Sequence, residues 1–588
     1  MAVLSGRRDR ILGLDEAAPP APATGRAYAF FVVAALFYVL HQFLTRGGYL
    51  LSGSMWAEMA TNYYVKAQSD SVLDQLFATD AGYIPLPQRI IAMAGHELGM
   101  TPGAVPYLYT GTAVVLGAVL IATVCLPAFR PVVSSDGLRL VLALTLMLAP
   151  DFETRTFINV TYFAVVPLVA VTALAAVQRD SDVPGWAWVL PLFMLSKPAV
   201  LAALPAMLLV ALISRPRFRR IALVSAAVGA VQVVQLFRSA LAGGTPLQAS
   251  DESALSKLIA AIKYTLGFAG RLVLAPSTTL GPGALMLAGG VFLLLCLAGA
   301  VFLRSRASAL VGVGVALLFF TMLVDAFTFA AAFGRDMGML AIPGFDRRLV
   351  GAVVGVLMAL TGLVAMVAES PRTAALVRRF RPAGAPGATR LVATAVLAAW
   401  VLAVGWVPYA VSVNQPLAVQ YGNASQWQRM SPVMAGAEPV VCIPLNPYGW
   451  IGGRGCVPLS DIGGTPVTFE WQPASPEGDD WELDLPVPRT VQDAALASVA
   501  VMVRPPDGVE SVSARAVITQ DDDRETVLAA DAELPAEGGV LQFYDVPAPL
   551  LADVRSVRLV FDSPVEVAVK DASDDDDASL ALWLGLPR

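Results

Sequence analysis

The sequence predicts a mainly α-helical, polytopic membrane protein with about eleven transmembrane helices and a C-terminal extracytoplasmic β-sandwich domain. Three observations predict this fold. The chain has 588 residues, of which 56% are hydrophobic and only 15% charged, whereas soluble domains carry about 25% charged residues. The first 413 residues hold 30 basic and 19 acidic residues, but from Asn414 onward 27 acidic residues stand against 10 basic ones. Long apolar runs also give way there to short alternating ones, so two modules are expected.

The chain begins with a charged, Pro-rich stretch, residues 1–26. No small-residue cleavage site follows the first apolar run, so this run is interpreted as a permanent anchor rather than a signal peptide. We therefore expect residues 1–26 to form a disordered cytoplasmic tail.

The transmembrane module, 27–413, is divided into apolar runs, and a span needs about 20 predominantly apolar residues. The third, fifth and sixth runs are short. The predicted spans are 27–46, 106–127, 138–150, 160–178, 185–196, 198–213, 220–240, 281–303, 308–328, 349–368 and 390–412. Segment 253–275 is amphipathic and basic, which favours a position along the membrane interface.

Arginine placement orients these spans. With the N-terminus in the cytoplasm, every inside segment is basic, and the strongest clusters lie at 215–220 and 372–390. This matches the positive-inside bias of plasma (inner) membrane proteins. Eleven crossings then place the C-terminal module outside the cytoplasm, in agreement with its acidity.

The C-terminal module, 414–588, contains alternating runs bounded by Pro, Gly and Asp, which indicate antiparallel strands and a β-sandwich. The runs are SVAVMVRP, SVSARAVITQ, VLQFYDVP, SVRLVFDS and VEVAVKDA. Cys442 and Cys456 lie in VVCIPLNPYGWIGGRGC, where a disulfide is expected outside the cytoplasm and two free thiols are the alternative. The acidic run Asp574 to Asp577 fits a solvated loop or a calcium ligand set.

The first outer loop, about 47–105, is the longest in the membrane module. Glu58 follows the first helix beside Trp56 and Tyr63, and Asp80 precedes a second amphipathic run. A partly desolvated carboxylate near a membrane interface suits general-base chemistry. The alternative is that Glu58 only caps an interfacial helix.

Three later segments on the outer side carry further polar residues. Glu153 and Asn159 lie in APDFETRTFINVTYF, and Lys197 interrupts the apolar segment LSKPAVLAALP. An intramembrane lysine either meets an anion or extends to the interface. Arg347 and Arg348 lie outside against the usual bias, and guanidinium groups suit phosphate. Pairing with acids of the C-terminal module is the alternative for these arginines.

Several function classes are excluded by missing motifs. The chain has no Walker A loop, no dinucleotide fingerprint and no HExxH, and its two histidines exclude a histidine-rich metal site. No metal or cofactor is assigned, and a divalent cation is left open. The pI of about 5.2, with basic clusters on the inner membrane side, argues against nucleic acid as a partner.

The outer-loop pattern resembles the GT-C class of integral membrane glycosyltransferases, which use polyprenyl-phosphate sugars as donors on the outer side of the membrane. The resemblance covers about 27–370. It rests on the segments WAEMATNYY, GYIPLPQRIIA, NVTYF, LSKPAVLAALP and GFDRRL. Actinobacterial members of this class often end in an extracytoplasmic β-domain, which is similar to the layout here. The resemblance therefore implies an activity such as arabinofuranosyl transfer or mannosyl transfer.

The resemblance implies a set of roles. A carboxylate, Glu58 with Asp80 as the second catalytic candidate, would take the proton from an acceptor hydroxyl of a cell-envelope glycan or glycolipid. Cations would stabilise the departing polyprenyl phosphate, and inversion follows from a single displacement. The implied donor-phosphate residues are Lys197, Arg347 and Arg348, and the implied acceptor or sugar residues are Trp56, Tyr63, Glu153 and Asn159.

Three other functions remain open at this point. A lipid-linked sugar flippase or transporter would need polar residues in mid-span and internal repeats, and the sequence offers little of either. A polysaccharide polymerase or ligase would share the outer arginines but use a lipid-linked oligosaccharide. An envelope scaffold would need none of these residues.

Overall fold

The structure is a computed structural model, and it describes most of the membrane module and parts of the C-terminal module. The described residues are 25–68, 71–178, 182–241, 253–328, 347–370, 386–413, 427–428, 431, 443–445, 450–452, 469–486, 498–506, 508–509, 511–530, 534–535, 539–543, 551, 553–570 and 583–585. Cys442, Cys456, the run Asp574 to Asp577 and the tail 1–24 lie outside them. The predicted disulfide therefore stays a prediction.

The described residues group into two compact units. The first comprises those within 1–45, 77–88 and 112–415, and the second those within 46–76, 89–111 and 416–588. The α-helices, in chain order, are α1 Gly25–Ser52, α2 Val72–Phe77, α3 Leu86–Glu97, α4 Val105–Ala122, α5 Asp136–Leu148, α6 Val165–Val177, α7 Leu204–Ala211, α8 Pro216–Leu241, α9 Ala254–Leu274, α10 Pro282–Leu303, α11 Ser308–Thr328, α12 Val350–Glu369, α13 Pro386–Ala403 and α14 Trp406–Val413.

Seven helices in the described part of the chain are long and apolar enough to cross a membrane, and the bent pair α13–α14 makes an eighth if it counts as one span. They coincide with eight of the predicted runs. The prediction of a mainly helical chain with membrane character is therefore confirmed. The three short runs form α5, a 3₁₀ helix at Gly185–Met194, and a 3₁₀ helix at Pro198–Ala203 that continues into α7. The count of eleven crossings is thus not confirmed.

The segment between α6 and α8 owes its short helices to proline. Pro184, Pro191, Pro198 and Pro205 recur every seventh residue, and each removes a backbone donor and clashes with the preceding turn of an α-helix. The chain adopts 3₁₀ helices instead, and the helical structure is interrupted around Lys197, between Gly185–Met194 and Pro198–Ala203.

This segment is a hairpin, which we call the proline hairpin (residues 183–213). Its two ends meet, because the Asp182 carboxylate accepts the backbone N–H groups of Arg217 and Phe218 at 2.9 and 3.3 Å. Its apex lies beside Gln232, whose Nε2 donates to the Ser196 carbonyl at 2.7 Å. Fifteen residues of α8 separate Arg217 from Gln232, so the apex lies roughly 22 Å from the base.

The helices of the first unit therefore have two distinguishable ends. At the base of the proline hairpin, which we call the arginine end, the Ser214 hydroxyl lies 3.4 Å from the Ala175 carbonyl near the end of α6. The α5–α6 connection lies at the other end, which we call the lysine end after Lys197 at the hairpin apex. There the backbone N–H of Phe152 donates to the carbonyl of Val413, the last residue of α14.

An ion-pair cluster lies at the beginning of α5. Arg130 donates to both carboxylate oxygens of Asp136, at 3.0 Å from Nε and 2.6 Å from Nη2, and the buried Arg139 also pairs with Asp136.

The strands lie in the second unit, and all the described pairings are antiparallel. One sheet has the order β11-β6-β13-β3 with β14 also paired to β6, the other has the order β4-β5-β12-β8-β9, and two further pairs are β1-β2 and β7-β10. The strands are β1 Ile443–Leu445, β2 Trp450–Gly452, β3 Phe469–Pro473, β4 Ser475–Glu477, β5 Asp480–Pro486, β6 Ser498–Arg504, β7 Ser511–Val512, β8 Ala514–Gln520, β9 Glu525–Ala529, β10 Leu534–Pro535, β11 Gly539–Phe543, β12 Val554–Phe561, β13 Glu566–Lys570 and β14 Trp583–Gly585.

Alternation along these strands produces one core. Val499, Val501 and Val503 of β6 are buried, as are Val557 and Leu559 of β12 in the opposite sheet, and all belong to one hydrophobic cluster. Each of the five predicted runs contains a strand, so the predicted strand-rich C-terminal region is confirmed. Two sheets that share one apolar core are the arrangement of a β-sandwich.

Candidate functional site

Lys197 occupies the apex of the proline hairpin and is buried, with 6% of its surface exposed. Its Nζ bonds to the hydroxyl of Tyr83 and lies 4.7 Å from the centre of that ring and 6.0 Å from the centre of the Tyr162 ring. A buried ammonium group is costly unless it is paired, so these contacts define its environment. The lysine side chain therefore lies inside the protein, in contact with Tyr83 and Tyr162.

Tyr83 connects Lys197 to Asp80. The Tyr83 hydroxyl donates to Asp80 Oδ2 at 2.8 Å, and Asp80 is 3% exposed. The two residues are the ends of a tight turn, with reciprocal backbone hydrogen bonds of 2.8 and 3.0 Å. Ala81 and Gly82 have φ of 44° and 84°, as a type I′ turn requires. Asp80, predicted as catalytic, is thus linked to Lys197 through the Tyr83 hydroxyl.

Two glutamines hold this turn against its neighbours. Gln232 accepts the N–H of Ile84 at 3.1 Å and donates to the carbonyls of Ile84 and Ser196 at 3.3 and 2.7 Å. Gln88 donates from Nε2 to the Ile158 carbonyl and the Thr161 hydroxyl, both at 3.0 Å. These bonds bring the Asp80 turn, the hairpin apex and the 157–161 segment together.

Two buried amide oxygens here accept no hydrogen bond within the described residues. Gln88 is 1% exposed and its Oε1 is unpartnered, and Asn159 is 3% exposed and its Oδ1 is unpartnered. The amide orientation is set by the nitrogens, because Asn159 Nδ2 donates to the Glu153 carbonyl at 3.1 Å and Gln88 Nε2 makes the bonds given above. An unsatisfied buried acceptor costs free energy, which a hydroxyl of a ligand or water would recover.

The α5–α6 connection carries the other predicted residues of this unit. Arg347, 43% exposed, forms an ion pair with Glu153, which is 27% exposed. The pKa of Asp151 is raised, because burial outweighs the groups that lower it. These groups are the Thr154 hydroxyl and N–H, which donate to Oδ1 at 2.6 and 2.9 Å, and the charges of Arg347 and Arg155. Within the described residues, then, Arg347 pairs with an acid of the membrane module.

Arg155 stabilises this connection from inside. It is 2% exposed, its Nη1 lies 2.8 Å from His41 Nδ1, and its Nη2 donates to the carbonyls of Met147 and Pro150. Arg348 follows Arg347 in a short 3₁₀ turn and is partly buried. Arg335, Asp336 and Asp346, which precede this turn in the sequence, lie outside the described residues.

Glu58, Trp56 and Tyr63 belong to the second unit. Glu58 immediately precedes a π-helix, Met59–Val65, and its side chain makes no capping hydrogen bond. The structure therefore does not support a role limited to helix capping. Ala57 has a φ of 45°, a conformation that costs a non-glycine residue roughly 1–2 kcal/mol, and π-helical turns occur frequently at functional sites.

Aromatic residues and one buried arginine surround this π-helix. Trp56 and Tyr63 are 2% and 0% exposed. The guanidinium of Arg89, 1% exposed, lies 4.9 Å from the centre of the Tyr63 ring and bonds to the Asn62 carbonyl. Trp56 is packed edge-on against Tyr49 at 6.3 Å. Trp56 and Tyr63 are thus core residues of the segment that carries Glu58.

Sequence reasoning missed several polar residues. Tyr83, Gln88 and Gln232 hold the lysine end together, and Asp325, 1% exposed, lies within the apolar helix α11. Asp325 and Gln232 could have been identified from the sequence, since a polar residue inside an apolar run is costly and marks a packed or functional position. Tyr83 and Gln88 had no such signal, because Lys197 is 114 residues from Tyr83, and Ile158 and Thr161 are 70 and 73 residues from Gln88.

The described residues contain no group of three or more His, Cys, Asp or Glu side chains that could hold a metal ion. The two cysteines within the described part, Cys125 and Cys296, are buried free thiols. No protein-family model matches the sequence, and no curated protein is significantly similar to it. The resemblance of the loop segments therefore rests on their residues alone.

Proposed function

We propose that the chain is an inverting membrane glycosyltransferase of the GT-C type, which transfers a sugar from a polyprenyl-phosphate donor to a cell-envelope glycan or glycolipid on the outer face of the plasma membrane. The observation that carries the proposal is the buried Lys197 at the lysine end of the first unit, roughly 22 Å along α8 from Arg217 in the arginine cluster at 215–220. Cations on that side run against the positive-inside bias and need a functional reason.

A topology of eleven crossings belongs to the proposal. The two arms of the proline hairpin and α5 would complete the eight candidate spans. The arginine end, with Arg130, Arg139 and the cluster at 215–220, would be cytoplasmic. The contact between Phe152 and Val413 supports an end of α14 on the lysine side, from which the β-sandwich would continue outside the cytoplasm.

The chemistry assigned to the first unit is phosphate stabilisation. As the bond between the anomeric carbon and the phosphate oxygen breaks, the electron pair passes to the polyprenyl phosphate. Lys197 and Arg347, with Arg348 beside it, would stabilise this charge, and a low-dielectric site strengthens the effect. The free acceptor atoms of Gln88 and Asn159 suit sugar hydroxyl groups.

Glu58 is retained in the proposal as the base that takes the proton of the acceptor hydroxyl while the oxygen attacks the anomeric carbon. Its position immediately before a π-helix, a conformation frequent at functional sites, supports this role. Asp80 becomes a positioning residue, because it is bonded to Tyr83 and through it to Lys197.

The test uses purified protein, synthetic polyprenyl-phosphate sugars and an acceptor glycan. Glu58→Gln is expected to abolish transfer while donor binding persists. Arg347→Ala is expected to weaken donor binding, and Arg347→Lys to restore part of it. Full transfer by Glu58→Gln would remove the base assignment, and a wild-type protein that consumes none of the donors would contradict the proposal.

Topology is tested separately by cysteine labelling in a Cys442→Ser, Cys456→Ser background. Arg347→Cys is expected to react with an impermeant maleimide in intact cells, whereas the exposed Arg215→Cys is expected to react only after permeabilisation. Labelling of both positions from one side would refute the assigned orientation.

A further inference from the structure

A cleft of about 310 Å³ lies within the second unit. Its walls come from the π-helix and the 3₁₀ turn after it, the end of α3, the link to α4 and the beginning of α4. The lining residues are Tyr64, Ala67, Gln68, Ala92, His96, Gly99, Met100, Thr101, Pro102, Val105 and Tyr109. The volume is at the lower end of the range of about 300–1,000 Å³ for small-molecule sites, and suits one or two sugar rings.

Three polar side chains from three different segments face this cleft: Gln68, His96 and Thr101. None of the three side chains has a hydrogen-bond partner within the part of the chain that the structure describes. Amide, neutral imidazole and hydroxyl groups each offer both a donor and an acceptor, which is what a sugar hydroxyl needs. The described lining contains no Asp, Glu, Lys or Arg, which favours a neutral ligand.

The cleft is held rigidly by aromatic and amide contacts. Trp427 is packed edge-on against Tyr64 with ring centres 5.2 Å apart, and its Nε1 donates to the Pro102 carbonyl at 2.8 Å. Gln428 donates to the carbonyls of Gly53 and Gly103 at 3.0 and 2.7 Å. A wall fixed in advance loses little conformational entropy when a ligand binds.

The cleft is also close to Glu58. Tyr64 lies on the π-helix that begins after Glu58, and the two residues are six positions apart in the sequence, at most about 9 Å along the helix axis. A glycan unit held in the cleft would bring its chain within reach of the carboxylate that is the proposed base.

We infer that this cleft, with Gln68, His96 and Thr101, binds a neutral sugar unit of the acceptor glycan. The inference rests on the proposed glycosyltransferase function and names the site by which the acceptor is selected. The sugar is held by hydroxyl hydrogen bonds to the three side chains and by contact with the Tyr64 ring.

Binding is measured first without any donor, on the full chain in lipid nanodiscs, with α-linked mannotriose and α-arabinofuranotriose as probes in saturation-transfer NMR and calorimetry. Each lost hydrogen bond is expected to weaken binding about fivefold, so Gln68→Ala combined with Thr101→Ala should weaken it roughly 25-fold. Gln472→Ala, an exposed glutamine of β3 outside the cleft, is the matched control and should bind as the wild type does.

A second measurement needs no variant. Bound mannotriose or arabinofuranotriose should protect His96, but not His41, from diethyl pyrocarbonate, as mapped by mass spectrometry. In turnover assays the Gln68 and Thr101 variants should raise the acceptor KM while the donor KM stays constant.

The outcomes separate this inference from the proposed function. Unchanged trisaccharide binding in the variants, or no binding of either probe by the wild type, overturns the cleft assignment even if sugar transfer is observed. Protection of His96 and weakened binding in the variants support the cleft even if no donor is consumed, in which case it is the transfer proposal that fails.

Discussion

The contact chain Asp80–Tyr83–Lys197 predicts strong energetic coupling between Asp80 and Lys197. Both residues are buried, and the Tyr83 hydroxyl bonds to each of them. Asp80→Asn removes the negative charge near the Lys197 ammonium group. Lys197→Met removes the positive charge near the Asp80 carboxylate. The double variant removes both charges and should lose much less stability than the two single variants lose together.

The magnitude follows from the geometry. Two hydrogen bonds in series separate the charges by about 5 Å, and Coulomb's law with an effective dielectric constant of about 20 gives an attraction of about 3 kcal/mol. Removal of one partner of a buried pair costs about 3–5 kcal/mol, which is consistent with this estimate. We therefore expect a coupling free energy of about 3 kcal/mol.

The assay is equilibrium unfolding of the purified protein in mixed micelles, followed by far-ultraviolet circular dichroism, for the wild type, both single variants and the double variant. The control cycle uses Arg504→Met and Glu566→Gln, an ion pair whose side chains are 51% and 43% exposed. Exposed pairs couple by at most about 1 kcal/mol. A coupling for Asp80 and Lys197 no larger than that of the control would refute the reasoning.

Three further predictions concern stability. Because burial raises the pKa of Asp151, the stability that this group contributes is lost as the pH rises above the ordinary aspartate pKa of about 4. The melting temperature of Asp151→Asn should therefore increase relative to that of the wild type as the pH is raised from about 4. Leu559→Ala, at a site with 0% exposure in the β-sandwich core, should cost about 2–5 kcal/mol in denaturant unfolding, whereas Val527→Ala, 58% exposed, should cost under about 0.5 kcal/mol. Gly289→Ala would place a Cβ against the backbone of the neighbouring helix α9 and should lower the melting temperature sharply, whereas Gly290→Ala meets nothing within 4 Å and should stabilise the helix by up to about 1 kcal/mol; equal effects at the two glycines would contradict the close α9–α10 contact.

The sequence was sufficient for features that depend on local pattern. The seven long apolar helices and the bent pair α13–α14 follow from apolar runs of sufficient length, and β6 and β12 follow from alternation in SVAVMVRP and SVRLVFDS. The length of an apolar run and the alternation along a strand are each contained within about 20 residues. The first reflects the thickness of the lipid bilayer, and the second reflects the burial of one face of a sheet. The same local information identified Lys197 and Glu153 as unusual.

The partners of these residues were not predictable, because they come from distant parts of the chain. Glu153 and Arg347 are 194 residues apart, and Tyr83 and Lys197 are 114 apart. Asp80 was predicted as a catalytic group because it precedes an amphipathic run, but only the folded chain brings Lys197 to the Tyr83 hydroxyl that bonds to Asp80.

The depth of Lys197 is the point at which local sequence and tertiary position meet. One continuous α-helix over 185–211 would be about 40 Å long and would leave Lys197 near the centre of the hydrocarbon, where an ammonium group is most costly. Prolines at 184, 191, 198 and 205 prevent that helix, and the chain folds back at Lys197 instead. The arm at Gly185–Met194 rises about 2.0 Å per residue as a 3₁₀ helix, so a short segment carries the lysine to the end of the bundle. There it meets Tyr83 and Asp80, and the repeat of prolines, more than the lysine itself, sets where this charge lies.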